Sequence, residues 1–251
     1  MSGALIPECG QEVYMKRVLL KLSGEALAGD KKMGFDEPTV KAVAAQVKEV
    51  MEGGVEVGIV IGGGNFWRGR SSKAINRSKA DQIGMLATVM NCIYVSEIFR
   101  SCGIETEILT PFMIGAFTKL YSHDLAEESL RAGKAVFFAG GTGHPYFSTD
   151  TATVLRAVEI EAEMILLAKS VDGVYDSDPK DNPDAVKFSE ISIAEVVEKG
   201  LGVVDGAAAV IAKENKMPML VFGLNGENSI INAANGKIDG TVVTVKKYVN
   251  K

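Results

Sequence analysis

The segment GGTGHPYFSTD, residues 140–150, has the composition of a binding loop. Glycines and hydroxyl side chains stand between an apolar run and a helical pattern, and hydroxyls can both donate and accept hydrogen bonds without carrying charge. The loop contains no lysine or arginine. It is therefore predicted to bind a polar group that is not mainly a phosphate, and any phosphate nearby must find its positive charge elsewhere.

Two cations stand at other strand ends. Lys21 lies in an apolar strand pattern directly before a Ser-Gly turn, where an inward-facing lysine is costly unless an anion pairs with it. A strand-end lysine that reaches solvent is the alternative. Arg68 follows the glycines Gly62–Gly64, whose backbone amides can closely approach an anion or simply form a tight turn. These residues predict a phosphate site supplied with charge from two strand ends.

The common nucleotide-binding motifs are not met. The segments GGGNFW and GTGHPY place Trp67 and Tyr146 where the dinucleotide fingerprint needs its third glycine. Gly24 and Gly29 have the spacing of a P-loop, but Asp-Lys follows them in place of Lys-Ser/Thr. The phosphate chemistry is therefore expected to use a different arrangement of glycines and cations.

Short apolar runs alternate with helical patterns along the chain. This alternation predicts an α/β protein, a three-layer α/β/α sandwich with a mainly parallel central sheet. Ligands of such sheets lie at the carboxyl ends of the strands, and here the ends KLSG, IGGGN, AGGTG and KSVDG are all glycine-rich or polar. Strands are predicted at 18–22, 55–61, 104–109, 135–139, 164–168, 219–223 and 240–245, and helices at 36–54, 81–103, 122–133, 149–162, 192–200 and 205–216.

Composition narrows the class of protein. A chain of 251 residues suits one large domain, predicted over 16–251 after an N-terminal extension at 1–15. The net charge of −5 argues against binding to nucleic acid or to a membrane surface. Three cysteines without metal spacing predict a reducing, cytoplasmic compartment, and Cys92 and Cys102 are expected to pack in the core. No apolar run approaches the roughly 20 residues that span a bilayer, so no membrane segment is expected.

Five segments, in order, resemble the signature segments of bacterial uridylate kinases of the amino-acid kinase superfamily: KLSGEAL, GIVIGGGNFWRG, DQIGMLATVMN, GTGHPYFSTD and VDGVYDSDP. The resemblance runs from residue 16 to about 245, and KLSGEAL together with DxxGMLATxMN is its most specific part. It implies the amino-acid kinase-like fold, with an acceptor-binding part at 16–165 and an ATP-binding part at 166–251. It also implies transfer of the ATP γ-phosphoryl group to UMP, giving UDP and ADP, with Mg²⁺, in pyrimidine nucleotide biosynthesis.

The resemblance assigns roles residue by residue. Lys21 and Arg68 are expected to stabilise the transferred phosphoryl group. Asp150 is expected to orient the lysine or help hold magnesium, although a plain first-turn acid is the alternative. The resemblance leaves the direct metal ligands open. ATP is expected to contact Lys21, Leu22, Ser23, Gly24, Gly64, Arg68, Lys169, Tyr175 and Asp178. UMP is expected to contact Gly63, Asp81, Thr142, Gly143, His144, Pro145, Tyr146, Phe147, Ser148 and Thr149.

Some of these positions have a second interpretation. Asp81 is expected to accept hydrogen bonds from the ribose hydroxyls, or else to cap the helix that follows it. Tyr146 and Phe147 either form a wall for the uracil base or belong to the core. Ser148 or Thr149 is expected to cap the next helix and aim its positive end at phosphate.

Two other functions fit the same elements. One is a kinase of another small acid, such as carbamate or an acylamino acid, for which Asp81 and the loop Thr142–Thr149 would have no purpose. The other is a non-catalytic nucleotide-binding protein. The resemblance further implies a homohexamer, activated by GTP or ATP and inhibited by UTP. The long apolar pattern from Asp81 to Arg100 is either a subunit interface or simply buried.

Overall fold

The structure, a computed structural model, describes residues 15–31, 33–67, 74–224, 227–237 and 240–245. Its centre is a long sheet of short strands. The strands are β1 (Arg17–Leu22), β2 (Glu56–Ile61), β3 (Thr106–Thr110), β4 (Lys119–Leu120), β5 (Ala135–Phe138), β6 (Met164–Lys169), β7 (Val174–Tyr175), β8 (Lys187–Phe188), β9 (Glu190–Ser192), β10 (Met219–Gly223) and β11 (Thr241–Thr244).

Nine of the strands form the central sheet, in the order β4-β3-β5-β2-β1-β6-β10-β11-β9. All pairings in this sheet are parallel except β10 with β11. Strands β7 and β8 form a separate antiparallel pair. Strand β1 lies in the middle, between β2 and β6. Its position explains why the sequence RVLLKL reads as a nearly continuous apolar run, since a central parallel strand is covered on both faces.

Helices cover both faces of the sheet. Helices α2, α3 and α8 pack on the face that receives Val18, Leu20 and Leu22 of β1, and helices α4, α5, α6 and α7 pack on the face that receives Leu19. Because side chains alternate along a strand, Lys21 shares the face of Leu19. The helices are α1 (Gly24–Leu27), α2 (Glu37–Glu52), α3 (Arg77–Ser101), α4 (His123–Arg131), α5 (Thr149–Glu159), α6 (Ile193–Glu198), α7 (Gly206–Glu214) and α8 (Ser229–Ala234).

The predicted three-layer α/β/α architecture with a mainly parallel sheet is confirmed. Helix α3 begins at Arg77, earlier than expected, and Asn76 caps it by accepting a hydrogen bond from the amide of Ser78 at 2.9 Å. Asp81 therefore lies inside the helix, and its alternative role as the helix cap is wrong. The sequence also missed β4, β7, β8, β9, α1 and α8, because elements of two to six residues carry too little periodic signal.

Helix α3 is unusual in its length and apolar character. Among the described residues it is the one helix that could cross a membrane by length and composition alone, and half of its most apolar stretch is buried in the fold. A single helix of this kind is weak evidence for a span, since buried core helices meet the same criteria. Its outer face carries an exposed apolar stripe at spacings of three and four residues, formed by Ile83, Leu86, Met90 and Ile93.

Candidate active site

A cleft of about 310 Å³ opens at the carboxyl ends of β1 and β2. It lies between the first turn of α5 and the amino-terminal half of α3, as expected for a parallel sheet. The cleft brings together predicted residues from four separate segments. Those that line it are Lys21, Ser23, Gly24, Gly63, Gly64, Asp81, Thr142, Phe147, Ser148, Thr149 and Asp150.

Lys21 points into this cleft. Its side chain is only 13% exposed, and its Nζ lies 3.2 Å from Oδ1 of Asp150. The lysine is thus not the solvent-facing residue of the alternative interpretation. Asp150 is in the first turn of α5, so this ion pair connects β1 to α5. Helix α5 packs on the face of the sheet to which Lys21 belongs by strand alternation.

The amino end of α5 is capped by Ser148. Its Oγ accepts hydrogen bonds from the amides of Asp150 at 3.0 Å and Thr151 at 3.3 Å, so Thr149 is the first helical residue and not the cap. The positive end of the helix dipole therefore faces the cleft, where it favours an anion.

Asp205 supports this helix end and was not predicted from the sequence. Its carboxylate accepts hydrogen bonds from the hydroxyls of Ser148 and Thr151, and it caps α7 by accepting from the amide of Ala208 at 3.0 Å. Burial acts to raise the pKa of Asp205, but the hydrogen bonds from Ser148 and the other donors prevail and hold the pKa below its ordinary value. The sequence signal was only that of a helix-capping aspartate, because its partners are more than fifty residues away.

The loop that precedes α5 is held to α3. The amide of Gly140 donates to Oγ1 of Thr88 at 2.8 Å, and the amide of Tyr146 donates to Oδ2 of Asp81 at 2.8 Å. Tyr146 has a φ of 73°, which is rare for a residue with a side chain and is found mostly where the surroundings impose it. Tyr146 is 66% exposed and Phe147 is 49% exposed, so the interpretation that they belong to the core is wrong.

Arg77 is a second residue that the sequence reading missed. Its Nε lies 2.9 Å from both carboxylate oxygens of Asp81, and its guanidinium lies over the ring of Tyr146, 5.5 Å from the ring centre. The carboxylate of Asp81 thus accepts from Arg77 on its own helix and from the backbone amide of Tyr146. The spacing of four residues between Arg77 and Asp81 was the signal that could have predicted this pair.

Not every predicted UMP contact reaches the cleft. As far as the described residues define its lining, Gly143, His144, Pro145 and Tyr146 belong to the loop but do not line the cleft. The amide of His144 instead donates to Oγ1 of Thr142 at 3.3 Å. Leu22 is fully buried, its carbonyl accepts from the amide of Gly62 at 3.0 Å, and it is not part of the described lining of the cleft.

A second cleft, of about 480 Å³, opens beyond the end of β6. Of the predicted ATP contacts it includes Tyr175, whose hydroxyl donates to Asp172 at 2.7 Å. Asp178 is not part of its described lining and instead accepts from the amide of Lys180 at 2.9 Å. The cleft is otherwise formed by residues of the chain after β6, among them Ser170, Phe222 and Asn232.

Lys169 is the last residue of β6, directly before Ser170 of the second cleft, and is in the described lining of neither cleft. Its ammonium group donates to the backbone carbonyl of Val203. Burial lowers the pKa of Lys169, while the nearby carboxylate of Asp150 opposes this change and the positive charge of Lys21 adds to it. The charges of Lys21, Lys169 and Asp150 therefore influence one another.

Arg68 lies outside the described residues, so the predicted second cation has no described position. Among the residues that are described, no group of three or more histidine, cysteine, aspartate or glutamate side chains could hold a metal ion. Cys92 is fully buried, as predicted, and burial raises the pKa of its thiol well above the ordinary range.

The chain belongs to the amino acid kinase family, whose model matches residues 16–223. Among solved structures it is similar to the UMP kinase from Bacillus anthracis, with 34% identity, a TM-score of 0.89, and coverage of 93% of this chain and 97% of that one. The UMP kinase from Ureaplasma parvum is 31% identical with a TM-score of 0.87, over 92% of this chain and 100% of that one. The uridylate kinase from Archaeoglobus fulgidus is 27% identical with a TM-score of 0.70, over 90% and 99%. The resemblance noted from the sequence is confirmed.

Proposed function

We propose that the protein is a UMP kinase, which transfers the γ-phosphoryl group of ATP to UMP in pyrimidine nucleotide biosynthesis. The observation that carries the proposal is the position of Lys21, inside a cleft between glycine turns and beside Asp150. Similarity to UMP kinases along more than nine-tenths of the chain supports the choice of substrate.

The chemistry requires charge stabilisation and no general base. The attacking oxygen of UMP is already ionised at neutral pH, so the main difficulty is to bring two anions into line. Lys21 neutralises the phosphoryl group in transfer, held in direction by Asp150. The amides of Gly63 and Gly64 and the amino end of α5 add fixed positive potential from two sides. Arg68 is proposed as the second cation.

The acceptor nucleotide is proposed to lie along the loop Thr142–Thr149. Uracil presents carbonyl acceptors and one N–H donor, which backbone groups and hydroxyls can bind without charge. Asp81 accepts from the ribose hydroxyls, and Arg77 fixes the direction of its carboxylate. The partly exposed ring of Phe147, which lines the cleft, forms an apolar wall for the base.

The donor nucleotide is proposed to place its adenosine in the second cleft, against Tyr175, and its phosphates toward Lys169 and Lys21. This direction follows from the order of the groups, because Lys169 ends β6 and Ser170, the next residue, lines the second cleft. An ATP molecule laid this way brings its γ-phosphate to the UMP cleft.

Magnesium fits the oxygen donors of this site. Carboxylates line the cleft at Asp150, Asp81 and Glu25, and Mg²⁺ in such sites is held by one or two carboxylates together with the substrate phosphates. Asp150, which pairs with Lys21, would hold the ion together with the phosphates of ATP. When bound, the ion neutralises charge on the β- and γ-phosphate oxygens.

The protein is further proposed to be a cytoplasmic homohexamer that is activated by GTP or ATP and inhibited by UTP. The exposed stripe on α3, formed by Ile83, Leu86, Met90 and Ile93, supports association between subunits. Four large apolar side chains in a row on one helix face are costly to leave in water.

Comparing acceptors tests the proposal. With ATP and Mg²⁺, we expect ADP release to be fast with UMP, much slower with CMP, and at background with carbamate and N-acetylglutamate. The physical reason for the first two acceptors is the base: uracil presents a second carbonyl and a ring N–H to the loop Thr142–Thr149, where cytosine presents an amino group and a ring nitrogen without hydrogen. Carbamate and N-acetylglutamate lack a nucleoside and use neither Asp81 nor this loop. Turnover is measured by following ADP with each acceptor at the same concentration.

The same assay separates the competing functions. Strong turnover of an acceptor that lacks a nucleoside identifies a kinase of another small acid and contradicts the proposal. Tight binding of both ATP and UMP, measured by calorimetry, with no UDP formed identifies a non-catalytic binding protein.

A further inference from the structure

Two buried asparagines form a reciprocal pair beneath the cleft. Asn65 is 2% exposed and Asn91 is 0% exposed. The Nδ2 of Asn65 donates to Oδ1 of Asn91 at 3.0 Å, and the Nδ2 of Asn91 donates to Oδ1 of Asn65 at 2.8 Å. Such a two-way amide pair fixes the orientation of both side chains, because each needs the other as donor and as acceptor.

The pair uses its remaining hydrogens on two loops of the site. The Nδ2 of Asn91 donates to the carbonyl oxygen of Gly62 at 2.7 Å, and the Nδ2 of Asn65 donates to that of Gly34 at 2.8 Å. The carbonyl oxygen of Gly63 accepts from the amides of Phe66 and Trp67 at 3.0 Å each. The carbonyl oxygens of Gly62 and Gly63 thus already have donors, and the amide of Gly62 donates to the carbonyl of Leu22 at 3.0 Å. The amides of Gly63 and Gly64 are therefore the groups of the turn that we expect to face an anion.

Helix α3 also holds the second loop of the cleft. Thr88, one helical turn before Asn91, donates its hydroxyl hydrogen to the carbonyl of Met85 at 2.7 Å and accepts from the amide of Gly140 at 2.8 Å. Residues three apart lie on the same face of a helix. Two neighbouring side chains of one rigid helix therefore set the distance between the turn Gly62–Gly64 and the loop at Gly140.

We propose that Asn65 and Asn91 are positioning residues for the phosphate-binding turn, and that Thr88 is the positioning residue for the acceptor loop. None of the three touches the reacting atoms. Asn91 turns the carbonyl of Gly62 away from phosphate, and Asn65 fixes Asn91. This inference rests on the proposed function, because it assigns the positioning of the phosphate-binding turn and of the acceptor loop to different residues of that site.

The test compares kinetics with binding. Asn65→Ala and Asn91→Ala are each expected to lower kcat with UMP by about tenfold or more, since a misplacement of about 1 Å can cost 10²-fold. They are also expected to weaken ATP binding, measured by calorimetry without UMP, by about fivefold. The double variant is expected to lose little more than either single variant, because the two side chains act as one unit. Thr88→Val is expected to raise KM for UMP about tenfold with kcat within about threefold of the parent.

The matched control is Cys92→Ala, a fully buried neighbour on the same helix that does not face the cleft. The truncation is expected to lower stability while the hydrogen bonds of the asparagine pair are kept, and kcat and ATP affinity are expected to stay within about twofold of the parent. Thermal unfolding midpoints of all variants are compared. If an asparagine-to-alanine variant does not fold, the serine variant at the same position, Asn65→Ser or Asn91→Ser, replaces it.

Folded asparagine variants whose kcat and ATP affinity match those of Cys92→Ala overturn the inference. So does a double variant whose loss equals the product of the single losses, or a Thr88→Val variant that changes kcat and not KM for UMP. If the parent does not phosphorylate UMP, the proposed function fails by itself, and the ATP affinities of the asparagine variants still decide this inference.

Discussion

Replacing Lys21 by alanine is expected to lower kcat for UMP phosphorylation by roughly 10³-fold, with the UMP dissociation constant changed by less than about threefold. The side chain of Lys21 is only 13% exposed. A positioned cation with so little contact with water stabilises the charge that moves between two phosphates far better than water does. Steady-state kinetics with saturating ATP give kcat, and calorimetry gives the UMP dissociation constant.

The matched control for this change is Lys41→Ala. Lys41 is half-exposed on α2, pairs with Glu37 at 2.7 Å, and is in the described lining of neither cleft. Its removal is expected to leave kcat within about twofold of the parent, since exposed pairs of this kind contribute little. A Lys21→Ala protein that keeps most of its activity would show that the assignment of Lys21 is wrong.

Replacing Gly24 by alanine is expected to have the second-largest effect. A Cβ at this position would stand well inside 3.0 Å of the carbonyl oxygen of Gly62 and of Oδ1 of Asn65. Neither neighbour can move freely, because the first is backbone and the second belongs to the buried amide pair. We expect a loss of stability of about 1–3 kcal/mol and a fall in kcat of about 10²-fold as the two turns are pushed apart.

Gly206→Ala is the matched control. Gly206 is the first residue of α7, as Gly24 is the first residue of α1, but a Cβ there meets nothing within 4 Å. The change is expected to be neutral or to stabilise the protein by about 0.4–1 kcal/mol. Equal unfolding midpoints for Gly24→Ala and the parent would contradict the close packing of the two turns.

Much of the fold could be predicted from local patterns in the sequence. Continuous apolar runs such as RVLLKL predicted buried parallel strands, and the glycine-rich ends of these runs predicted where the cleft lies. The apolar run made Lys21 a candidate, with a lysine that reaches solvent as the alternative, and the resemblance to uridylate kinases assigned its role. These inferences succeeded because they depend only on residues that are neighbours along the chain.

The supporting groups could not be predicted in the same way. Asp205 with Ser148, and Asn65 with Asn91, are joined by hydrogen bonds between residues 57 and 26 positions apart. No local spacing in the sequence predicts such a partner. The start of α3 was misplaced for a related reason, since residues 77–79 are polar and only the cap at Asn76 marks where the helix begins.

The central claim is that two phosphate groups meet at the carboxyl ends of β1 and β2 under the charge of Lys21. A crystal structure of the protein with UMP and a non-hydrolysable ATP analogue tests it most directly. We expect the attacking oxygen of the UMP phosphate to lie about 3–3.5 Å from the terminal phosphorus atom of the analogue. Both should contact Lys21, with uracil along Thr142–Thr149 and adenine beside Tyr175. Both nucleotides bound elsewhere, or Lys21 turned to solvent while they are in place, would contradict the account.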